Sequence, residues 1–189
     1  RDGKQRVWNT PYIGLFRQIY EFYYYDFYDD REETEKDIWD IRKLGIEYNI
    51  TTEQHSINFT QVPTVFRELA KRYIKLRLIT LRNLSPSKCR SEYMNTFLRF
   101  FEFMLEKYPT LTDLKALTRQ DIVDFIDHLR KSKMAFRHKL IPVTDSRIND
   151  CLGTLQTFLE DIQLREWDEA PVKHARLLIF PEDRPKREN

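Results

Sequence analysis

Leu84-Ser-Pro-Ser-Lys-Cys-Arg-Ser-Glu-Tyr-Met-Asn-Thr-Phe-Leu-Arg-Phe-Phe-Glu-Phe-Met-Leu-Glu-Lys107 is the stretch whose reading decides the fold. The Ser85 hydroxyl can accept from a free backbone N–H of a first helical turn, and Pro86, which has no N–H to leave unsatisfied, suits the first helical position. A helix therefore starts here. Met94, Phe97, Leu98, Phe101, Met104, Leu105 and Tyr108 then recur at helical spacing, which predicts one wide apolar face. Lys88, Arg90 and Arg99 fall off that face and point outward.

Further helices flank this one. Pro63 opens a pattern through Phe66, Leu69, Tyr73, Leu76 and Ile79, with Arg67, Lys71, Arg72, Lys75 and Arg82 largely on other sides. Tyr108-Pro109 ends the central helix, and the residues up to Leu117 read as a loop. Thr118-Arg-Gln-Asp121 has the form of a capping box with Asp in place of the usual Glu, ahead of Ile122, Phe125, Ile126 and Leu129. Asp121, Asp124 and Asp127 at every third position read as a solvated face, not as metal ligands. Thr144-Asp-Ser-Arg147 starts a last helix carrying Ile148, Leu152, Leu155, Leu159 and Ile162, which ends before Trp167 and Pro171.

The segment Lys131 to Val143 reads as a loop holding Lys131, Lys133, Arg137, His138 and Lys139. Beside a helix start, with its free N–H groups and positive end, such a loop is suited to phosphate. Toward the N-terminus, Trp8 to Asp30 is dense in aromatic residues, and Ile13, Phe16, Ile19, Tyr20, Tyr23 and Phe27 make a helical stripe. The acidic run from Asp26 to Asp37 would repel a polyanion, so that stripe reads as core-facing and not as a stacking platform for bases. Glu33 to Leu44 continues helically, with Trp39 as a packing residue and Gly45 at the C-terminal cap. Ile46 to Phe59 looks extended and reads as a linker. At the other end, Arg176 to Asn189 reads as a short extended piece followed by a linker.

Composition sets the bounds. The 189 residues are 41% hydrophobic and 33% charged, with only four Gly, a balance that favours a helix-rich globular chain over a disordered one. Cys89 and Cys151 both fall in helical patterns and read as buried thiols, not a disulfide framework. No run of eighteen apolar residues and no signal pattern is present, which predicts an intracellular protein with no membrane partner. The net charge of +2 hides an asymmetry: residues 1–60 carry −4, residues 61–150 carry +8 and residues 151–189 carry −2. Between Arg67 and Arg99 nine basic residues face two acidic ones, Glu68 and Glu92. A solvated helix face usually mixes signs, so this bias points to an anionic partner. No Gly-rich phosphate loop, metal-ligand spacing or nucleophile–base pair occurs in the sequence, so no cofactor, metal or small-molecule ligand is expected.

Residues 60–185 resemble the N-terminal core-binding, or SAM-like, domain of tyrosine recombinases of the phage-integrase family, particularly those encoded by transposons. The resemblance is carried by Ile57-Asn58-Phe59, Lys71 to Leu78, Leu84-Ser-Pro-Ser with Tyr93, Leu98, Phe100, Phe101 and Phe103, then Leu117-Thr118, Asp121-Ile122 and Phe125-Ile126. It continues in Ser146-Arg-Ile148-Asn149, Leu155, Phe158, Trp167, Pro171, Leu178 and Pro181-Glu-Asp-Arg-Pro185. It implies an all-α architecture: residues 1–59 as a helical, acidic, aromatic-rich extension with a short extended linker, residues 60–170 as a four-helix core-binding bundle, and residues 171–189 as a linker toward a catalytic domain. It implies a unit that grips duplex DNA at the crossover site while other recombinase subunits assemble around it, at the nucleoid in the cytoplasm of a prokaryote.

Chemistry in that family needs a His-x-x-Arg pattern in the catalytic domain. Here His55, His128, His138 and His174 are followed three positions on by Asn58, Lys131, Ile141 and Leu177. No catalytic residue is therefore assigned, and the fragment is expected to be catalytically silent. The family's DNA contacts correspond to Ser87, Lys88 and Arg90, to Arg137, His138 and Lys139, and to Thr144, Ser146, Arg147 and Asn149. The charge pattern adds Arg99 and Lys133. Arg and Lys would mainly neutralise phosphates, whereas Asn149 or an Arg in a groove could read base edges. The alternative, from the aromatic N-terminal lobe, is a helical protein-interaction module that mediates subunit assembly.

Overall fold

The computed structural model describes residues 14–16, 19–20, 23–24, 29–50, 55–136 and 139–185. The chain divides into two compact units, 1–36 and 37–189. Residues 14–16, 19–20 and 23 of the first unit are helical, as expected. Their aromatic stripe, however, is not core: Phe16, Ile19, Tyr20 and Tyr23 are all exposed, and Tyr20 stacks on Tyr24 at 5.7 Å. A helix of a unit this short has little apolar surface to fold against. Ile13 and Phe27 lie outside the described residues.

The second unit begins with an element that reads as helix in the sequence. Asp37 to Asp40 instead enters a sheet, in which β1 (Ile38–Asp40) pairs antiparallel with β2 (Ser56–Asn58) and Trp39 faces Ile57. Trp39, Ile57 and Phe59 are fully buried, so the expected linker is part of the core. Trp39 packs on the Phe59 ring at 4.6 Å. Pairing with a partner eighteen residues away overrides the local helical periodicity. A 3-10 turn, Ile41–Leu44, follows and closes on Gly45 in the left-handed region at φ 65°, where glycine carries no Cβ penalty.

Four helices carry the rest of the unit. α1 (Thr64–Lys75) runs on into a π-helical turn, Leu76–Thr80. α2 starts at Pro86–Lys88, passes through a π segment, Cys89–Met94, and continues as Asn95–Lys107. Ser85 caps it as expected, its hydroxyl accepting from the Lys88 N–H at 3.1 Å. α3 (Arg119–Lys131) has the predicted capping box, Thr118 and Asp121 each accepting from the other's backbone N–H. α4 (Asp145–Leu164) is capped by Thr144. Between α3 and α4 the expected loop is a hairpin, β3 (Lys133–Phe136) against β4 (Lys139–Pro142), with Lys133 facing Pro142. Basic residues interrupt an apolar run there, Met134-Ala-Phe and Leu140-Ile, whose length suits a strand pair.

Aromatic rings make the centre. Tyr73 of α1, Phe97 and Phe101 of α2 and Phe158 of α4 are fully buried and meet ring to ring, with Phe97 to Phe158 at 4.9 Å and Tyr73 to Phe158 at 4.9 Å. Phe125 of α3 joins through Phe100 at 5.3 Å. The Tyr73 hydroxyl donates to Asp161 at 2.9 Å, and Arg77 closes the same carboxylate. The C-terminal stretch, expected to be extended, forms a short helix, α5 (Ala175–Leu178), and a 3-10 turn, Pro181–Asp183. Ala175, Leu178 and Ile179 are buried, which fixes that segment to the bundle.

Lys107 ties α2 to α3, reaching Asp121 and Asp124 at 2.6 Å each. Burial pushes the Asp121 carboxyl up, but the hydrogen bonds from Lys107, Thr118 and Tyr108 outweigh it and hold it below the ordinary aspartate value of 3.8. Asp124 is likewise lowered by Lys107 and Gln120. The same two carboxylates raise Lys107 above the ordinary lysine value of 10.5. Carboxyls lowered in the folded chain add stability that is complete above their unfolded value and lost as pH falls through the folded one. A raised lysine adds stability that is complete below its unfolded value and lost as pH rises through the folded one. Urea midpoints measured across pH should therefore fall off below about 4 and again above about 10.5, and Lys107→Met should flatten both arms.

Candidate nucleic-acid interface

The positive middle of the chain is partly spent inside the fold. Arg67 and Lys71 hold Asp37 at 2.9 and 3.4 Å, and Arg72 holds Glu169 at 2.5 Å while its guanidinium lies 3.9 Å over the Trp167 ring. Arg77 pairs with Asp161 and Arg119 with Asp183. These carboxylates come from the two acidic segments of the sequence, so much of the charge asymmetry is cancelled through space.

Two of the basic residues that stand outside these pairs, Arg99 and Arg147, meet at one cleft. Ser91, Asn95 and Arg99 stand at i, i+4 and i+8 on α2, and the Asn95 side-chain amide donates to the Ser91 carbonyl at 2.8 Å. With Arg147 and Asp150 of α4 they line a cleft of about 280 Å³, floored by Thr96, Cys151 and Leu129. Arg147 is exposed and Arg99 half-buried, and among the described residues neither stands in an ion pair. Lys88 reaches the cleft's edge through Glu92, at 3.5 Å. Burial pushes the Cys151 thiol up to about 11, against a hydrogen bond with Thr96 and the Arg99 charge, so the floor is uncharged.

The first turn of α4 lies beside the cleft. The Thr144 hydroxyl accepts from the Arg147 N–H at 3.4 Å, which leaves other N–H groups of that turn and the positive helix end available to an anion. Two guanidinium groups, a helix start and two carboxylates, Glu92 and Asp150, can together serve phosphate oxygens and the amino groups of base edges.

Of the expected contact residues, Arg99 and Arg147 meet in this cleft, and Thr144 and Ser146 lie on the turn beside it. Ser87 and Lys88 are exposed on the first turn of α2. Arg90 is half-buried, with one guanidinium nitrogen sealed from solvent and without a hydrogen-bond partner among the described residues. Lys133 is exposed at the base of the hairpin, and Lys139 lies in β4 opposite Phe136. Arg137 and His138 fall outside the described residues. Asn149, expected on the rim, turns away: its side-chain amide donates to the Pro185 carbonyl at 3.0 Å. Sequence reasoning missed Ser91, Asn95 and Thr96. The polar stripe of Ser91, Asn95 and Arg99 at four-residue spacing was the signal that could have found the first two.

Among the described residues no cluster of His, Cys, Asp and Glu could hold a metal, and no helix is long and apolar enough to cross a membrane. Fold and cleft thus define a mostly helical unit with a cation-bearing groove between two helices. The chain is similar to Transposase B from transposon PsiTn554 of Staphylococcus aureus, 32% identical over 182 residues that make up 94% of this chain and 26% of that protein. Transposase B from transposon Tn554 of S. aureus strains Mu50 / ATCC 700699 and N315 is 31% identical with the same coverage. The chain therefore spans about a quarter of the length of these curated relatives. No family model matches it, and no solved structure matches it.

Proposed function

We propose that the chain is the DNA-gripping piece of a transposon-encoded tyrosine recombinase, holding duplex DNA at the crossover site while a separate catalytic domain acts during integration or excision. Similarity to Transposase B along nearly the whole chain carries this reading. The cleft supports it, because Arg99 and Arg147, neither in an ion pair among the described residues, meet there beside the start of α4, with Glu92 and Asp150 on the same lining. On this reading α1 to α4 are the SAM-like core-binding bundle, roughly residues 60–170. The rim of Ser87, Lys88, Arg90, Arg99, Lys133, Arg137, His138, Lys139, Thr144, Ser146 and Arg147 is the DNA side, with Ser91 and Asn95 added by the cleft. The protein works in a prokaryotic cytoplasm among other recombinase subunits.

Competition binding tests it. Unlabelled duplex should displace a labelled duplex about tenfold better than polyglutamate of equal charge, since a groove-shaped site selects geometry as well as charge. Equal displacement would reduce the site to a general anion surface.

One observation favours a second role for residues 1–36. Phe16, Ile19 and Tyr20 are exposed on one short helical stretch, as a surface that docks another subunit would be. Phe16→Ser with Tyr20→Ser should then lower the apparent mass in sedimentation without changing duplex affinity.

A further inference from the structure

After leaving α4 the chain turns back and runs along the same helix in the opposite direction. Gln163 gathers the return: its side-chain amide donates to the carbonyls of Pro171 at 2.7 Å and Lys173 at 2.6 Å, and its oxygen accepts from the Ala175 N–H at 2.9 Å. Arg176 then reaches Glu160 at 3.4 Å, Arg184 reaches Gln156 at 2.9 Å, and the Pro185 carbonyl meets Asn149. From α3, Arg119 pairs with Asp183 and donates to the Leu178 carbonyl at 2.9 Å. Successive anchors thus step down α4 from residue 163 to residue 149, about 21 Å at 1.5 Å per residue. Ala175, Leu178 and Ile179 supply the apolar burial under the return.

Holding some twenty residues in one path costs of order 1–2 kcal/mol of backbone entropy for each. A simple spacer would leave that cost unmet and sample a span of roughly 25 Å. This one instead ends at Asn149, near the start of α4, on the side of that helix away from the cleft. We infer that residues 166–185 are a fixed-length positioning arm, latched by Arg119 and Asn149, that brings the chain back to the start of α4 and holds it there instead of leaving it at the far end. The chain then leaves the bundle from one defined point, on the opposite side of α4 from the groove. This holds whether or not the groove takes DNA.

Electron spin-label distances test it on the full chain. Labels go on the exposed arm position Glu182→Cys and on the exposed α3 position Lys131→Cys; both native thiols are buried and do not compete. The parent should give one narrow distance distribution, and Asn149→Ala combined with Asp183→Ala should broaden it roughly twofold or more as the arm becomes a flexible chain. Both changes lie at the latch and leave the aromatic core intact, so folding is checked by an unchanged helical signal. A broad distribution in the parent, or an equally narrow one in the variant, overturns the inference.

Discussion

Phe97→Ala is expected to destabilise the bundle by about 4 kcal/mol. Phe97 is fully buried and touches four rings, Tyr73 at 5.9 Å, Tyr93 at 6.0 Å, Phe101 at 5.6 Å and Phe158 at 4.9 Å. Three helices therefore lose packing at one point. The neighbours are rings and cannot collapse into the space without leaving their own contacts, so a cavity remains and its cost adds to the lost transfer energy. For a domain of this size the change corresponds to a fall of roughly 10 °C in the unfolding midpoint. Calorimetry or urea denaturation measures it. A loss under about 1 kcal/mol would mean that α1, α2 and α4 do not meet at Phe97.

Arg99→Ala combined with Arg147→Ala should cut affinity for duplex DNA about a hundredfold at low salt, with about tenfold for each phosphate contact removed. Arg147 lies at the start of α4 and Arg99 a little over one turn along α2 from the π segment, yet they face one cleft. Since neither is in an ion pair among the described residues, their removal strands no buried carboxylate. The urea midpoint should therefore stay within about 0.5 kcal/mol of the parent. Arg77→Ala is the matched control with the opposite outcome. It leaves Asp161 and the buried Tyr73 hydroxyl short of a partner, so it should lower stability while affinity for DNA, measured on the folded fraction, is unchanged.

Features with a local cause were legible in the sequence. Ser85-Pro86, Thr118 with Asp121, and Thr144 each satisfy free N–H groups within three residues, so their helix starts can be read from the sequence directly, and the apolar stripes that follow predict most of the core. Features caused at long range were not legible. Three-residue strands such as β1 have no periodicity of their own, and Trp39 owes its conformation to Ile57. The hairpin carries no clean alternation, because basic residues break its apolar run into pieces too short to mark a strand. How much of the positive excess faces outward was not legible either, since Arg67, Arg77 and Arg119 find their carboxylates 30, 84 and 64 residues away. Asn149 could not be assigned from sequence, because only the returning arm reveals what it holds.

The most direct test is the salt dependence of duplex affinity, measured by fluorescence anisotropy. A rim that neutralises several phosphates releases the ions condensed on them, so the logarithm of the association constant should fall linearly with the logarithm of salt concentration. The slope should be about −3 or steeper, at roughly −0.9 for each phosphate engaged. A slope near zero, or no duplex binding in low salt, would contradict the assignment of the α2–α4 cleft as a DNA-gripping surface.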